Sequence, residues 1–254
     1  MPRYFIELAY KGTRYSGFQI QENANTIQAE VEKAFQTLHR TAVVMTGSSR
    51  TDAGVHALQN FFHFDFEKET IPYFVYKMNA ILPQDIAIKN IFRLSSEAHS
   101  RFDAISREYR YQVHRFKDPF LQSTYFFFPY KLNIELMQTA AELVKEQTNF
   151  FAFAKTNSQV KHFNCRVTAS RWVTRKNCLV YQIEANRFLR GMVRSLTATL
   201  LKVGREKMLL EDFTRLFTKD IKCGFSVPAH GLLLQKVNYP VEYFSVDEKH
   251  FTGF

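Results

Sequence analysis

The residues best suited to chemistry lie in a short polar segment, residues 48–54, that contains one arginine and one carboxylate. Arg50 precedes Asp52 by two positions, and Asp52 is the only acidic residue of the segment. Polar residues in a connection between strands lie at strand ends, where a ligand can reach them. A carboxylate there can serve as a nucleophile or a base. The same aspartate can instead cap its own turn, and composition alone favours that second interpretation.

Other kinds of catalytic centre find little support in the sequence. Cys165, Cys178 and Cys223 are odd in number and widely spaced, so they predict neither a disulfide framework nor a Cys-x-x-Cys metal site. His162 and Cys165 are close in sequence but have no companion ligands. The glycines form no G-x-G-x-x-G or Walker pattern. We therefore expect neither a metal nor a nucleotide cofactor.

Net positive charge is concentrated in the second half of the chain. Residues 1–104 contain 11 basic and 11 acidic residues, so residues 105–254 carry the whole formal charge of +10. Residues 155–207 alone contain 12 basic residues, against only Glu184 and Glu206. Such clustering favours a polyanionic partner, and nucleic acid is the commonest one in a cytoplasm. A solvated basic face is the alternative, and a membrane surface is less favoured because no separate amphipathic basic helix is present.

Alternating strand and helix patterns predict an α/β or α+β fold without a solenoid repeat. The strands are predicted at residues 3–10, 42–46, 60–67, 86–94, 107–115, 166–174 and 178–185. A capping box of Asn25 and Gln28 predicts the start of a first helix, and a second helix is predicted around residues 136–144. The polar segment that contains Asp52 joins the second and third strands.

A third helix is predicted from an apolar stripe over residues 189–203. Gly204 stands where a glycine commonly follows the end of a helix. Arg187, Arg190 and Arg194 are spaced by three and four residues. They are therefore expected to project from one face of this helix, beside or opposite the apolar stripe.

A chain of 254 residues can form one large domain or two modest ones. The change of charge and pattern near residue 104 predicts an N-terminal domain at residues 1–104 and a basic C-terminal domain at residues 105–254. The longest run without a charged residue or histidine, residues 119–130, is far shorter than the roughly 20 residues of a membrane-spanning helix. The N-terminus reaches Glu7 before an apolar signal region can form, which predicts a cytoplasmic protein with no membrane partner.

Eight consecutive residues around Asp52, residues 50–57, read Arg-Thr-Asp-Ala-Gly-Val-His-Ala. Further characteristic segments follow in order along almost the whole chain, at residues 10–13, 17–19, 26–28, 79, 82–83, 85–86, 101–102, 104, 107–111, 186–194 and 231–234. Together these segments resemble the tRNA pseudouridine synthase A family. Two residues depart from its pattern: Ser49 stands where a glycine is usual, and Phe18 where a tryptophan is common.

The resemblance implies two α/β domains, with mainly antiparallel sheets that join across a basic cleft, and a homodimer without cofactor or metal. It implies isomerisation of uridine to pseudouridine at positions 38, 39 and 40 in the anticodon stem-loop of tRNA. In the family pattern Asp52 is the essential carboxylate and Tyr109 lies against the target uracil. Arg50 then helps to displace the base, and Arg194 can pair with Asp52.

Several of these roles have alternatives. Arg194 could bind phosphate instead, as is also expected of Arg187 and Arg190. Tyr109 could be one more core aromatic in a chain with 26 Phe and 12 Tyr. The residues do not distinguish attack of Asp52 on the sugar carbon from removal of a sugar proton to give a glycal.

Two other functions compete with catalysis. A tRNA-binding or chaperone protein of the same family, with weakened catalysis, is suggested by Ser49 but opposed by the retention of Arg50, Asp52 and Tyr109. A DNA-binding protein has only the positive charge in its favour. An enzyme acting on a base within a stem must flip the nucleotide out, at a cost of a few kcal/mol. The basic residues of the second half could offset that cost.

Overall fold

The computed structural model describes residues 1–68, 71–156 and 160–244, which pack as two compact units. The first contains Met1–Ile105 together with the described residues from Leu234 onward, and the second contains Ser106–Leu233. The change of unit after Ile105 lies one residue beyond the boundary expected from the sequence. That expectation assigns everything after residue 104 to the second domain, whereas the chain returns to the first unit at Leu234.

The first unit contains a sheet built around its first strand. Its elements are β1 (Arg3–Tyr10), α1 (Ile27–His39), β2 (Thr46–Gly47), β3 (His56–Asp65), α2 (Phe74–Ile81) and β4 (Ile86–Leu94). β1 pairs antiparallel with β3 on one side and with β4 on the other, and β2 pairs antiparallel with β3. Phe5, Ile6 and Leu8 of β1 are fully buried. The strands predicted at residues 3–10 and 86–94 are confirmed.

The first helix begins one residue later than the predicted capping box requires. Thr26, not Asn25, is the N-cap: it has an extended backbone, and its hydroxyl accepts a hydrogen bond from Ala29 N–H over 3.3 Å. The Gln28 amide does not return to the cap and donates instead to Met45 O over 2.8 Å. The capping box was therefore the wrong interpretation of these residues, although the helix itself is confirmed.

The strand predicted at residues 42–46 is wrong except for its last residue. Side chains of α1 bind the main chain of Met45: its N–H donates to Glu32 Oε1 over 2.9 Å, and its carbonyl accepts from Gln28. These bonds occupy groups that a strand partner would otherwise use. The next strand, β3, begins at His56 rather than at residue 60, because Ala57 already pairs with Tyr10 of β1.

The described part of the second unit has its own antiparallel strands and three α-helices. Its elements are β5 (Ser106–His114), β6 (Phe126–Phe127), α3 (Ile134–Val144), β7 (Val167–Arg175), β8 (Cys178–Ala185), α4 (Met192–Gly204) and α5 (Leu210–Arg215). β8 pairs antiparallel with β5 and β7, and β6 adds a short parallel pairing to β5. The predicted hairpin is confirmed, and Lys176 at its turn has a φ of 51°. The mixed α/β fold with mainly antiparallel pairing therefore agrees with the fold class expected from the sequence.

The last strand, β9 (Leu232–Asn238), begins in the second unit and ends in the first. Within the first unit, Val237 N–H of β9 donates to Gln59 Oε1 of β3 over 3.1 Å. A strand at this place was not predicted from the sequence.

The arginine-bearing helix is shorter than predicted. Gly191 has a φ of 75° and is the N-cap, so α4 starts at Met192. Arg187 and Arg190 therefore precede the helix, and only Arg194 projects from it, which corrects the prediction of one helical face. Gly204 is the last helical residue rather than the residue after the helix. An added Cβ on it would lie 2.4 Å from the Met137 sulfur of α3, so this glycine allows the two helices to approach closely.

Candidate active site

The connection between β2 and β3, residues 48–55, is named here the Asp52 loop. Val55 N–H donates to Asp52 O over 3.1 Å and closes a turn in which Gly54 has a φ of 80°. That positive φ explains the glycine, because other residues rarely adopt it. Asp52 is half-buried at the start of this turn. The carboxylate is therefore carried by a main chain with little freedom to move.

A buried polar network fastens the loop on both sides of its arginine. Asn60 is fully buried, and its side-chain amide donates to Ser49 O over 2.8 Å and to the Tyr10 hydroxyl over 3.2 Å. The Tyr10 hydroxyl lies 2.8 Å from Thr51 Oγ1, while Thr51 O accepts from Phe18 N–H over 3.0 Å. Hydrogen bonds away from water are electrostatically strong and are costly to leave incomplete. The network thus fixes the residues that flank the arginine.

Two glycines bring a second segment against the loop. An added Cβ on Gly12 would lie 2.0 Å from Val55 O, so only glycine fits there. Gly12 N–H also donates to Nδ1 of His56 over 3.0 Å. Gly17 has a φ of 111°, and its added Cβ would lie 3.1 Å from Thr51 O. The segment before α1 therefore packs directly on the main chain of the Asp52 loop.

Neither departure from the family pattern introduces backbone strain. Ser49 is buried beside Ser48 and does not have a positive φ, so this position does not require glycine. The Phe18 ring stacks on Phe62, with centroids 4.5 Å apart and planes 10° apart. An added Cβ on Gly47 would lie 2.2 Å from the Phe18 ring, which shows how closely this ring fills the space at β2.

The loop carries a cation two residues before its carboxylate. Arg50 is exposed, whereas Asp52 is half-buried. Partial burial of its guanidinium, and then the nearby positive charge of Arg101, lower the pKa of Arg50. An arginine nevertheless stays protonated at neutral pH. The loop therefore combines an exposed positive charge with a half-buried carboxylate, a group that can serve as a nucleophile or a base.

In the second unit, Tyr109 and Tyr111 lie on the same face of β5 but differ in their surroundings. Tyr109 is 8% exposed, and Phe188 contacts its ring edge-on with centroids 5.0 Å apart. Tyr111 is completely buried, and its hydroxyl donates to Pro228 O over 2.8 Å. Its ring also lies against Gly231, where an added Cβ would be 2.6 Å away. Tyr111 thus has a structural role.

The three arginines of residues 187–194 are held differently from one another. Arg194 is half-buried in α4, and its Nε donates to Val227 O over 2.8 Å. Arg187 is half-buried, with Nη1 3.3 Å from Nε2 of His162. Arg190 is exposed. Of the three, Arg190 presents its side chain most openly to solvent.

The structure divides the predicted site residues between the two units. Arg50 and Asp52 share one loop in the first unit, while Tyr109, Arg187, Arg190 and Arg194 belong to the second. Sequence reasoning missed the residues that fasten the loop, which are Tyr10, Gly12, Thr51, His56 and Asn60. One signal was available: Asn60 is a polar side chain directly before the apolar run of β3, where a buried amide needs partners.

Other centres find little support in the part of the chain that the structure describes. No group of three His, Cys, Asp or Glu side chains there is placed to hold a metal ion. No helix among those residues is long and apolar enough to cross a membrane. Burial raises the pKa of the Cys165 thiol to about 11, so this cysteine is protonated at neutral pH and poorly nucleophilic.

Comparison with known proteins identifies the family. A family model described as tRNA pseudouridine synthase matches residues 8–103 and 147–240. A tRNA pseudouridine synthase A from Parabacteroides distasonis is 40% identical over 252 residues, which cover 98% of this chain and all of the relative. One from Porphyromonas gingivalis is 41% identical, covering 96% of this chain and all of the relative. One from Staphylococcus aureus is 35% identical, covering 92% of this chain and 90% of the relative.

A solved structure of an unknown protein from Galdieria sulphuraria aligns with 81% of this chain and 93% of its own, at 11% identity. Its TM-score is only 0.22, so we draw no conclusion from this likeness. The family model and the full-length relatives decide the matter, and the matched segments include both the Asp52 loop and residues 186–194. This chain belongs to the tRNA pseudouridine synthase family.

Proposed function

We propose that this chain isomerises uridine to pseudouridine in tRNA, at positions 38, 39 and 40 of the anticodon stem-loop. The observation that carries the proposal is the Asp52 loop, with a half-buried carboxylate on a closed turn beside an exposed arginine. The relatives are named tRNA pseudouridine synthase A, which supports this reaction class. The positions in tRNA follow from the family resemblance.

The reaction needs a carboxylate but no redox partner. It breaks the bond between uracil N1 and ribose C1′ and forms a bond between C5 and C1′. The C5 proton leaves and N1 gains a proton, so the product is an isomer of the substrate. A carboxylate can promote the first step by attacking C1′ or by removing a sugar proton. We assign this role to Asp52, the only carboxylate of its loop.

The target base must leave its helix before these atoms can react. Arg50 is exposed next to Asp52, which supports a role in occupying the space that the base vacates. The ring of Tyr109 is held edge-on by Phe188, which supports a role as a platform for the uracil. The pairing of Arg194 with Asp52 rests on the family resemblance alone.

Binding of tRNA is assigned to the basic residues of the second unit. Residues 155–207 contain 12 basic residues against two acidic ones, which suits a phosphate backbone. Arg190 is exposed and Arg187 half-buried at the start of the matched segment 186–194. We further propose that the protein acts in the cytoplasm and that it is a homodimer. Sedimentation of the purified protein would test the dimer.

Mapping of pseudouridine in tRNA tests the proposed function. Cells that lack the protein are expected to lose pseudouridine at positions 38, 39 and 40, and the purified protein should restore it on unmodified transcripts. Pseudouridines elsewhere in the same tRNAs serve as the internal control. Binding of tRNA without any change at these positions would favour the non-catalytic alternative. Unchanged tRNA together with equal affinity for DNA would favour a DNA-binding protein.

A further inference from the structure

A short turn of the first unit, residues 99–103, carries an exposed aromatic ring and a cation that have no role so far. Phe102 is 74% exposed, and its ring centroid lies 4.2 Å from that of His99. The guanidinium carbon of Arg101 lies 5.7 Å from the Phe102 centroid. A single exposed apolar side chain is common and needs no explanation. Phe102 differs in that a hydrogen-bonded turn holds the main chain from which its ring projects.

Internal hydrogen bonds close the turn on itself. The N–H groups of Arg101 and Phe102 both point at Nδ1 of His99, at 3.1 and 3.3 Å. His99 N–H donates to Asp103 Oδ2 over 2.6 Å, and Asp103 N–H returns to His99 O over 3.1 Å. Side chains that leave such a turn therefore start from a fixed main chain.

Further bonds anchor the turn within the first unit. The Tyr239 hydroxyl donates to Ser100 O, and the Tyr243 hydroxyl donates to the Asp103 carboxylate. Ser100 Oγ donates to Thr46 O over 3.0 Å. Thr46 is the first residue of β2, which leads directly into the Asp52 loop. The turn is thus bonded to the strand that positions the proposed catalytic carboxylate.

Charge also connects the turn to the loop. Burial first, and then the positive charge of Arg101, lower the pKa of Arg50, so the charge of Arg101 reaches the guanidinium of Arg50. Two like charges held near each other cost free energy, and an anion nearby offsets that cost. A phosphate of the RNA backbone is such an anion.

We propose that the turn makes a second tRNA contact beside the Asp52 loop, in which Phe102 stacks on an unpaired base and Arg101 binds a neighbouring phosphate. Aromatic rings and arginine planes are the usual platforms for unstacked RNA bases. The inference deepens the proposed function and rests on it for the identity of the RNA. It assigns the two residues to substrate binding, not to the chemical step.

The test compares substitutions in the turn with matched substitutions elsewhere. Phe102→Ala and Arg101→Gln are measured beside Phe120→Ala, which removes a ring that is 90% exposed in the second unit, and Arg93→Gln, which removes an exposed arginine of β4. Dissociation constants for a tRNA transcript are obtained by filter binding over a salt series. The rate of pseudouridine formation is measured with saturating enzyme in a single turnover.

The two turn residues are expected to fail in different ways. Phe102→Ala should weaken affinity roughly tenfold, or about 1.4 kcal/mol, because the stacked base is lost. The salt slope should not change, because the ring carries no charge. Phe102→Tyr keeps the ring and should bind within about twofold of wild type. Arg101→Gln should reduce the magnitude of the salt slope by about 0.7, the value for one contact to single-stranded nucleic acid. Both controls should match wild type.

Failure of this inference differs from failure of the proposed function. Affinities of Phe102→Ala and Arg101→Gln equal to those of the controls, in a wild-type enzyme that forms pseudouridine, would overturn the tRNA contact alone. An equal loss in Phe102→Tyr and Phe102→Ala would overturn stacking. Absence of pseudouridine formation by the wild type would refute the proposed function, and the binding series would still decide whether the turn contacts RNA.

Discussion

The Asp52 loop and the arginine segment, residues 186–194, differ in how their main chains are held. The loop is fastened by a buried network around Asn60 and by a glycine approach to its main chain. The arginine segment is held at its start by exposed bonds, in which Asn186 Oδ1 accepts from the N–H groups of Arg166 and Arg187. Its most open side chain, Arg190, lies in solvent.

This difference corresponds to what each region must do. A group that reacts gains rate from being held in the productive geometry before the substrate arrives. A cation that binds phosphate needs charge more than exact placement, because the backbone attraction acts over several ångströms. Changes beneath the Asp52 loop should therefore affect stability and rate, and changes in the arginine segment should affect affinity.

The largest expected effect comes from filling the space at Gly12. Gly12→Ala would place a carbon 2.0 Å from Val55 O, and main-chain atoms cannot yield as a flexible side chain can. We expect a loss of about 3 kcal/mol or more in the free energy of unfolding, measured with urea, together with loss of turnover. Thr13→Ala, at the exposed neighbouring position, is the control and should stay within about 0.5 kcal/mol of wild type. A stable, active Gly12→Ala variant would show that the loop is not held as described.

Stability should also respond to pH through His63, a buried residue of β3 that pairs with Thr46 of β2. Burial first, and then the positive charge of His99, lower its pKa to about 4. Between pH 6.5 and 4 the unfolded chain binds a proton at this histidine that the folded chain does not. Stability should therefore fall as the pH drops through this range, by about 3 kcal/mol for this group.

Urea unfolding of the wild type and of His63→Asn at pH 7 and pH 4.5 measures this effect. Asparagine can keep an acceptor for Ser100 N–H, which Nδ1 of His63 accepts over 3.2 Å, but it does not titrate. The variant should lose less stability than the wild type on acidification. Equal losses of stability in the wild type and in the variant would show that His63 does not contribute to the pH dependence. Some dependence should remain, because burial also lowers the pKa of His39 and of His99.

A smaller effect is expected at Tyr109, in the second unit. Tyr109→Phe should bind tRNA normally, whereas Tyr109→Leu should lose about 1 to 3 kcal/mol of binding free energy if the ring stacks on the flipped base. Because pseudouridine formation releases the C5 proton, a Phe variant that binds without turnover would assign a chemical role to the hydroxyl. Tyr111→Phe is the matched control: it removes a buried bond to Pro228 and should lower stability without a specific loss of affinity. Wild-type turnover by Tyr109→Leu would contradict the placement.

The smallest effect belongs to the arginine segment. Arg190→Ala should weaken tRNA binding at low salt and reduce the magnitude of the salt slope by about one, with no change in folding. Lys131→Ala removes an exposed basic residue outside residues 155–207 and should leave the slope unchanged. Arg187→Ala should also disturb its contact with His162, so Arg190 gives the clearer result. An unchanged slope for Arg190→Ala would exclude this side chain from the binding surface.

Elements with strong local patterns were predictable, and those decided by distant contacts were not. β1 and the β7–β8 hairpin follow from alternation and turn residues. The apolar residues before Thr46 also suggested a strand, but α1 satisfies the main chain at Met45. The same holds for α4, where the spacing of Arg187, Arg190 and Arg194 suits a helix and the positive φ of Gly191 delays its start.

The residues of the candidate site divide in the same way, into those that local patterns indicate and those that distant contacts decide. Arg50 and Asp52 were indicated by residue type and by their place between strands. The residues that hold them were not, because their partners are remote in sequence: Asn60 lies 11 residues from Ser49 and 50 from Tyr10. The periodicity of a helix or a strand does not reveal contacts between residues so far apart in sequence.

The central claim, that the Asp52 loop performs the chemistry and other residues bind the tRNA, is tested most directly by Asp52→Asn. The amide keeps the shape of the side chain but is neither a competent nucleophile nor a base. Tritium release from C5-labelled uridine in tRNA is measured beside filter binding, with Glu22→Gln, an exposed site of the same unit, as the charge-matched control. We predict that tritium release disappears in Asp52→Asn while folding and tRNA affinity stay near those of wild type. Residual release within about tenfold of wild type, a loss of less than about 1.4 kcal/mol, would show that Asp52 is not the catalytic carboxylate. Joint loss of binding and activity would contradict the claimed division of roles.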